Sequence, residues 1–249
     1  MIKLFRQIRQ QLLMENKTGK YLKYAVGEII LVVIGILIAL QINNWNQNRI
    51  RATEELNILQ DLKIGLEKDK SDLLYNAKRI NSSMSSADKV IYALENDLPY
   101  RDSIAYYLGD LMFPVMFVYS TSAFETLKSK GISTIKNPEL RNQIIDVYDS
   151  RYTFFIKQEA VIIEECERGV KHIFSTRFEE SYLYNLDKAN YEPSLIPLNY
   201  NALKTDQEFI YFIKSYKNRL NILLNYHYNN RLIKSVETLI ESINKEIGS

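Results

Sequence analysis

The sequence predicts an all-α protein, with one N-terminal transmembrane helix followed by an elongated antiparallel helical bundle. Three observations lead to this prediction. Only eight Gly and five Pro interrupt 249 residues, and sparse helix breakers favour long helices over sheets with many turns. Residues 29–40 read IILVVIGILIAL, an apolar run typical of a membrane span. Beyond this run, apolar residues recur every seven positions, as they do along the buried stripe of a packed helix.

The composition excludes several classes of protein. With 46% hydrophobic residues and a net charge of +2, the chain is too apolar and too weakly charged to be disordered. The single cysteine, Cys166, excludes an intramolecular disulfide and a cysteine-based zinc site. Residues 1–23 hold six basic side chains and one acidic side chain, and the remainder is nearly neutral. A basic tip on a neutral body indicates contact with a lipid bilayer rather than with nucleic acid.

We predict that residues 24–42 form the membrane span. A helix from Tyr24 to Trp45 is about 32 Å long at ~1.5 Å per residue, close to the ~30 Å hydrocarbon thickness. Aromatic rings at both ends suit the two interfacial belts, and ten Ile, Leu or Val residues in the run contribute roughly −3 to −6 kcal/mol to insertion. The alternative, a buried helix of a soluble protein, leaves the aromatic belts and the basic flank unexplained.

The flanks of the span predict its orientation. A cleaved signal peptide is not expected, because the apolar run starts late and lacks a small-residue cleavage site after it. Six basic residues precede the span and two closely follow it, which places the N-terminus in the cytoplasm. Residues 43–249 then form an extracytoplasmic bundle, periplasmic if the anchor lies in the inner membrane of a Gram-negative cell. Residues 1–23 form a basic cytoplasmic leader, either an interfacial helix or a simple topogenic flank.

Two stretches resemble a known family. Residues 1–49, which contain GEIILVVIGILIALQINNWN, and residues 124–148, FETLKSKGISTIKNPELRNQIIDVY, are similar to an uncharacterised bacterial family of single-pass membrane proteins. This family has a basic leader, an anchor of this type and a helical outer domain. The resemblance therefore implies a location and a fold class, and it implies no activity.

The outer part begins with one long helix. Its heptad stripe consists of Leu59, Leu66, Leu73, Ile80, Ala87 and Leu94. The companion positions Asp69, Asn76 and Ser83 are polar, which argues against a two-stranded coiled coil and for a bundle. Short helices are expected over 102–111 and 122–130, and long helices begin near 138 and 206, after cap residues. Residues 185–205, which contain two prolines, are predicted to be a loop.

No catalytic or metal-binding pattern is recognisable. The two histidines, His172 and His227, lack the Glu-x-x-His spacing of di-iron bundles, and no phosphate-binding or nucleophile motif occurs. Residues 164–167 read Glu-Glu-Cys-Glu, which we interpret as a surface acidic cluster beside a buried cysteine. We therefore expect no enzymatic activity, no cofactor and no metal.

Two sets of residues are candidates for association. Small residues on one face of the span allow a second helix to approach closely, and the ionisable Glu28 either reaches the headgroups, pairs with a basic partner or couples to protons. This set is Gly27, Glu28, Gly35 and Ala39. Tyrosine is abundant, and aromatic residues are frequent at protein interfaces. The candidate protein-binding face is Tyr148, Tyr152, Tyr182, Tyr184, Tyr191, Tyr226 and Tyr228.

Three functions are compatible with these features. The first is an interaction or scaffold protein of the cell envelope, with the lipid bilayer and either a protein partner or a second copy as its binding partners. The second is a periplasmic sensor-like bundle that binds a small ligand. Its short cytoplasmic leader cannot hold a signalling domain, so output would need a partner. The third, an enzyme, lacks an assembled catalytic set. We rank them in this order.

Overall fold

The computed structural model describes residues 18–112, 114–179, 183–184 and 193–248. The chain divides into two compact units, of which the first runs to Leu56 and the second begins at Asn57. Residues 1–17, most of the predicted leader, lie outside the described residues. The helical part of the first unit belongs to the long helix that starts at Thr18.

The described part of the chain is almost wholly helical, so the all-α prediction is confirmed. The helices and strands are α1 (Thr18–Glu95), α2 (Asp102–Asp110), α3 (Ser122–Lys130), α4 (Pro138–Ile145), α5 (Thr153–His172), β1 (Leu183–Tyr184), β2 (Pro193–Ser194), α6 (Tyr200–Leu203), α7 (Gln207–Ile222) and α8 (Lys234–Ile247). The π-helical segment Asp146–Tyr152 joins α4 to α5, and the π-helical segment Leu223–Ile233 joins α7 to α8. We call residues 138–172 the second long helix and residues 207–247 the third.

In the first unit, α1 contains an apolar stretch whose side chains are not buried. An 18-residue window has a mean hydropathy of 2.6, and none of it is buried. The Ile, Leu and Val side chains from Ile29 to Ile42 are 46–63% exposed. By length and composition, this helix of the described part of the chain can cross a bilayer.

In the second unit, the third long helix runs antiparallel to both others. Asn137 donates to Glu246 at 2.7 Å, and the rings of Phe174 and Phe209 lie 5.5 Å apart at the opposite ends. Against α1, Lys70 pairs with Glu237 at 3.0 Å, and Lys214 in the middle of α7 pairs with Glu95. Since both are antiparallel to the third long helix, α1 and the second long helix are parallel to each other. Residues 96–137 connect the end of α1 to the start of the second long helix.

The predicted heptad stripe is the part of the core that α1 contributes. All six of its residues are at most 4% exposed, and each large one contributes roughly 1.5–3 kcal/mol when fully buried. The stripe packs in one hydrophobic cluster with residues of all three long helices.

The polar heptad companions are buried as well, and each bonds to the segment that runs from the last residue of α2, Asp110, to Ser120. The Asp69 carboxylate accepts from the Ser120 backbone N–H at 2.8 Å. The Asn76 side chain donates to the carbonyl of Met116 at 3.2 Å, and the Ser83 hydroxyl donates to the Asp110 carbonyl at 2.6 Å. These contacts explain why the first long helix breaks its apolar pattern, since buried backbone groups without regular structure need such partners.

Local signals placed the helix ends correctly. The Asn137 side chain accepts from the backbone N–H groups of Glu139 and Leu140, and Pro138 occupies the first turn, as expected of an N-cap followed by proline. Gly131 follows α3 with a φ of +96°, a conformation that side chains with a Cβ rarely adopt. In the predicted loop 185–205, the described residues include β2 and the single turn α6.

Candidate functional site

A groove lies between the second and third long helices, where the two π-helical segments approach each other. It has an aromatic half of about 220 Å³ and a polar half of about 270 Å³, and Arg151 and Arg231 line both halves. The other residues of the aromatic half are Ser150, Phe154, Phe155, His227 and Leu232. Those of the polar half are Gln143, Asp146, Val147, Asn230, Lys234, Ser235, Thr238 and Leu239.

The π-helical register determines which side chains meet at this groove. Hydrogen bonds from residue i to i+5 widen the turn, so side chains five positions apart lie on the same face. Arg151 pairs with Asp146 in the first segment, and Arg231 donates to the Tyr226 hydroxyl in the second. An ordinary α-helix would separate both pairs, since it brings together residues three and four apart. π-helical turns occur frequently at functional sites.

The groove carries more positive than negative charge. Its lining includes the cations Arg151, Arg231 and Lys234 and the single carboxylate of Asp146. The guanidinium of Arg231 also lies 4.0 Å from the centre of the Tyr226 ring. Arginine has five N–H groups, so the bond to the Tyr226 hydroxyl leaves other guanidinium donors unused.

His227 forms the wall at the aromatic end. Its ring centre is 5.8 Å from that of Phe154 and 5.0 Å from that of Tyr226. Burial lowers the pKa of His227 below its ordinary value of 6.5, and the charge of Arg231 lowers it further. The imidazole therefore adds no positive charge to the groove at neutral pH.

An exposed apolar surface continues from the groove along the same two helices. A shallow third cavity of about 130 Å³ includes His227, Val161 and Ile222 in its lining. We name as the apolar seam the four side chains that are 46–57% exposed here, Phe154, Val161, Ile222 and Tyr226. Exposed apolar residues gathered in this way mark interaction sites more often than isolated ones do.

Buried carboxylates hold residues 114–120 between the helices. Glu159 of α5 accepts from the Phe117 backbone N–H at 2.9 Å and from the Tyr228 hydroxyl at 2.5 Å. Asp69 accepts from Ser120 and, at 2.9 Å, from the Tyr152 hydroxyl. Burial raises the pKa of Asp69 to about 6 and also raises the pKa of Glu159. Both carboxylates have protein donors, so their role is to position the connecting chain.

A third buried carboxylate anchors α2. The Asp110 side chain is fully buried and accepts from Ser82 at 3.1 Å, from Ser86 at 2.8 Å and from Arg79 at 3.0 Å. Charge-assisted hydrogen bonds of this kind are stronger than neutral ones. The serine-rich turn of α1 therefore fixes the short helix that follows it.

The structure does not assemble the predicted tyrosine face. Tyr148, Tyr152 and Tyr228 are at most 4% exposed, so this part of the prediction is wrong. Their rings pack against aromatic neighbours such as Phe124 and Phe155, because the helical positions that seemed to form a stripe face the core. Tyr226 is 49% exposed. Tyr182 and Tyr191 lie outside the described residues, as does the side chain of Tyr184, whose backbone belongs to β1.

The candidate association residues of the span lie in the first unit. Gly35 and Ala39 are exposed, and Gly27 and Glu28 are half-buried. A methyl group built on Gly27 or Gly35 would meet nothing within 4 Å. Their role in helix association stays a prediction.

The structure agrees with the interpretation of residues 164–167 as a surface acidic cluster beside a buried cysteine. Cys166 is a free, buried thiol whose pKa burial raises to about 11, and Glu164 is 73% exposed. Glu165 lies 3.7 Å from Arg219 of α7. Among the described residues, no group of three potential ligands is placed to hold a metal ion.

Sequence reasoning missed the groove. It assumed the α-helical period throughout, and that period separates the two arginines from their partners. The available signal was the five-residue spacing of Asp146 and Arg151 and of Tyr226 and Arg231, which becomes meaningful only in a widened helix.

A comparison with protein families gives one match. A model described as a family of unknown function, DUF6090, covers residues 28–167, more than half of the 249 residues. The chain belongs to the DUF6090 family. The resemblance to an uncharacterised family is confirmed at this level. No curated protein and no solved structure matches the chain.

The DUF6090 match divides the groove. It includes the wall that contains Gln143, Arg151 and Phe155, and it ends at residue 167. The opposite wall, from His227 to Leu239, belongs to the third long helix and lies beyond the matched residues. The hydrogen bonds between α1, residues 114–120 and α5 all fall within the DUF6090 match.

Proposed function

We propose that this DUF6090 protein is a non-enzymatic, single-pass membrane protein of the bacterial cell envelope whose second unit binds a protein partner. The leader faces the cytoplasm, residues 24–42 span the inner membrane and the second unit lies in the periplasm. The observation that carries the anchor is the uncovered apolar stretch from Ile29 to Ile42. In water, so many exposed Ile, Leu and Val side chains would be strongly unfavourable.

The apolar seam supports the interaction role. Phe154, Val161, Ile222 and Tyr226 are about half-exposed on adjacent helices, and a partner that covered them would gain about 25 cal/mol for each Å² of apolar surface buried. The large, rigid rings of Phe154 and Tyr226 are of the kind that supplies much of the energy at interfaces. The partner is either another protein or a second copy of the chain.

The test compares the seam with a matched apolar surface elsewhere. Full-length protein with Phe154→Ser and Ile222→Ser, purified from native membranes in mild detergent, should lose a partner that the wild-type protein retains. Leu74→Ser is the control, because Leu74 is 49% exposed on α1 and is not part of the seam. Equal recovery of the same partners by seam variant and wild type would contradict the interaction role.

The orientation has its own measurement. In spheroplasts, protease added from outside should remove a tag placed at the C-terminus and spare a tag placed before the leader. Protection of the C-terminal tag would contradict the periplasmic location without affecting the seam test.

A second function, a sensor-like ligand-binding bundle, is favoured by the groove. A concave site with two arginines between an aromatic half and a polar half is typical of small-molecule sites, which combine apolar walls with a few polar groups.

A further inference from the structure

The cations of the groove are incompletely neutralised. Among the described residues, neither Arg231 nor Lys234 has a carboxylate partner: Arg231 bonds to the Tyr226 hydroxyl, and Lys234 lies 3.5 Å from the side-chain oxygen of Asn230. Arg151 does pair with the carboxylate of Asp146, but it does so through Nε. The terminal nitrogens of Arg151 thus remain available, and guanidinium groups bind carboxylates and phosphates through two parallel hydrogen bonds.

The aromatic half supplies an apolar wall beside these cations. Phe155 is buried, Phe154 is 46% exposed and Leu232 is buried, so a ring placed there would contact carbon atoms on several sides. The volume of about 220 Å³ is enough for a small ring. An apolar body and an anionic group can therefore be accommodated at neighbouring positions.

The polar half contains a buried acceptor without a donor. Among the described residues, the Gln143 side-chain oxygen has no hydrogen-bond partner, and Gln143 lines this half of the groove. A buried polar atom in this state is unfavourable until a donor reaches it. A ligand hydroxyl or amide that enters the polar half would provide that donor.

We propose that the groove binds a small organic anion, with its carboxylate or phosphate between Arg151 and Arg231 and its apolar part against Phe154. This inference names the ligand class of the second function proposed above and does not depend on the apolar seam binding a protein. The two π-helical segments are the structural basis of the site, because they place both arginines at the boundary between its halves.

The experiment is calorimetric titration of the full-length protein in zwitterionic nanodiscs. The probes are phenyl phosphate and benzoate, with inorganic phosphate and benzyl alcohol as the anion-only and ring-only controls. We expect one site per chain for at least one aromatic anion, with binding at least fivefold tighter than that of inorganic phosphate and no binding of benzyl alcohol at this site. Comparison of the two aromatic anions distinguishes a phosphate ligand from a carboxylate ligand.

Variants assign the binding to the groove. Arg231→Gln should weaken it about tenfold, which corresponds to ~1.4 kcal/mol. Arg168→Gln should leave it unchanged, since Arg168 is an exposed arginine of α5 that pairs with Glu164. If Arg231→Gln lowers the melting temperature strongly, Lys234→Gln replaces it, with a weakening of at least threefold expected.

Two results would overturn the inference. One is the absence of saturable binding of either aromatic anion, and the other is an equal affinity of the Arg231→Gln, Lys234→Gln and Arg168→Gln proteins. Loss of the partner by the seam variant, alongside either of these results, would reject the anion site alone. Equal partner recovery by the seam variant and the wild type, with intact anion binding, would reject the protein-docking role alone.

Discussion

Asp69 illustrates how a single residue can serve a fold at an energetic cost. Asp69 is 1% exposed, and removal of a charge from water is unfavourable unless hydrogen bonds compensate. Two donors, the Ser120 backbone N–H and the Tyr152 hydroxyl, supply part of that compensation. The remaining penalty is visible as the raised pKa of Asp69, about 6 against an ordinary value of 3.8.

This pKa predicts how stability depends on pH. The folded protein holds a proton on Asp69 more tightly than the unfolded chain does. The stability that this protonation contributes is therefore fully present below pH 4 and is lost as the pH rises towards 6. In the wild-type protein, the free energy of unfolding should fall between pH 4 and pH 6. We expect this fall to be smaller by roughly 2–3 kcal/mol in Asp69→Asn. Chemical denaturation followed by the near-ultraviolet circular dichroism of the core tyrosines measures this difference.

The control for this prediction is Asp61→Asn, at an exposed position of the same helix. It should keep the wild-type dependence on pH. Part of the slope should persist in Asp69→Asn, because burial raises the pKa of Glu159 in the same direction. A wild-type profile in Asp69→Asn would show that this carboxylate is not the group responsible.

At the scale of elements, glycine permits a close contact between α5 and α7. A methyl group added at Gly169 would lie 2.1 Å from the Phe212 ring, closer than any real contact. That ring stacks at 5.8 Å on Tyr216 and lies edge-on at 5.7 Å to Phe174. The aromatic neighbours leave the ring little freedom to move, so interhelical distance depends on the absence of a side chain at this position.

We therefore expect Gly169→Ala to destabilise the second unit by about 1–3 kcal/mol through overpacking. Adding Phe212→Leu should recover part of the loss, since the smaller side chain frees the space. Thermal unfolding of the single and double variants measures the coupling between the two positions. Additive effects of the two substitutions would contradict direct contact between α5 and α7 here.

At the scale of the whole molecule, the balance of insertion energies decides the location. The apolar run favours insertion by roughly 3–6 kcal/mol, and each lysine at the centre of a span opposes it by about 2.5–3.5 kcal/mol. Two lysines, together with the loss of two apolar side chains, should outweigh the favourable term. No other part of the described chain is long and apolar enough to replace the anchor.

Ile34→Lys combined with Leu37→Lys should accordingly move the protein out of the membrane fraction. The measurement is sedimentation of membranes followed by carbonate extraction, with the full-length protein detected in each fraction. Leu74→Lys is the control, because Leu74 is an exposed residue of the second unit, and its substitution should leave the protein in the membrane. Recovery of the double variant with the membranes would contradict anchoring by residues 24–42.

The sequence alone determined the features that depend on local order. Heptad spacing predicts a buried stripe on α1, the Asn137-Pro138 pair predicts a helix start, and the apolar run predicts a helix that can span a bilayer. Each depends on residues that are neighbours along the chain. The polar companions Asp69, Asn76 and Ser83 also indicated correctly that the first helix packs in a bundle, although their partners could not be named.

Tertiary structure alone decided the groove and the outcome for the tyrosines. Arg151 and Arg231 are 80 positions apart in the chain, and only the packing of the second long helix on the third brings them together. The π-helical register is also a property of the folded helix, because the five-residue spacing of Asp146 and Arg151 becomes meaningful only once the helix is known to be widened. A tyrosine on such a helix can be buried, as Tyr228 is, or exposed, as Tyr226 is. The outcome depends on which face of the helix the packing turns towards the core.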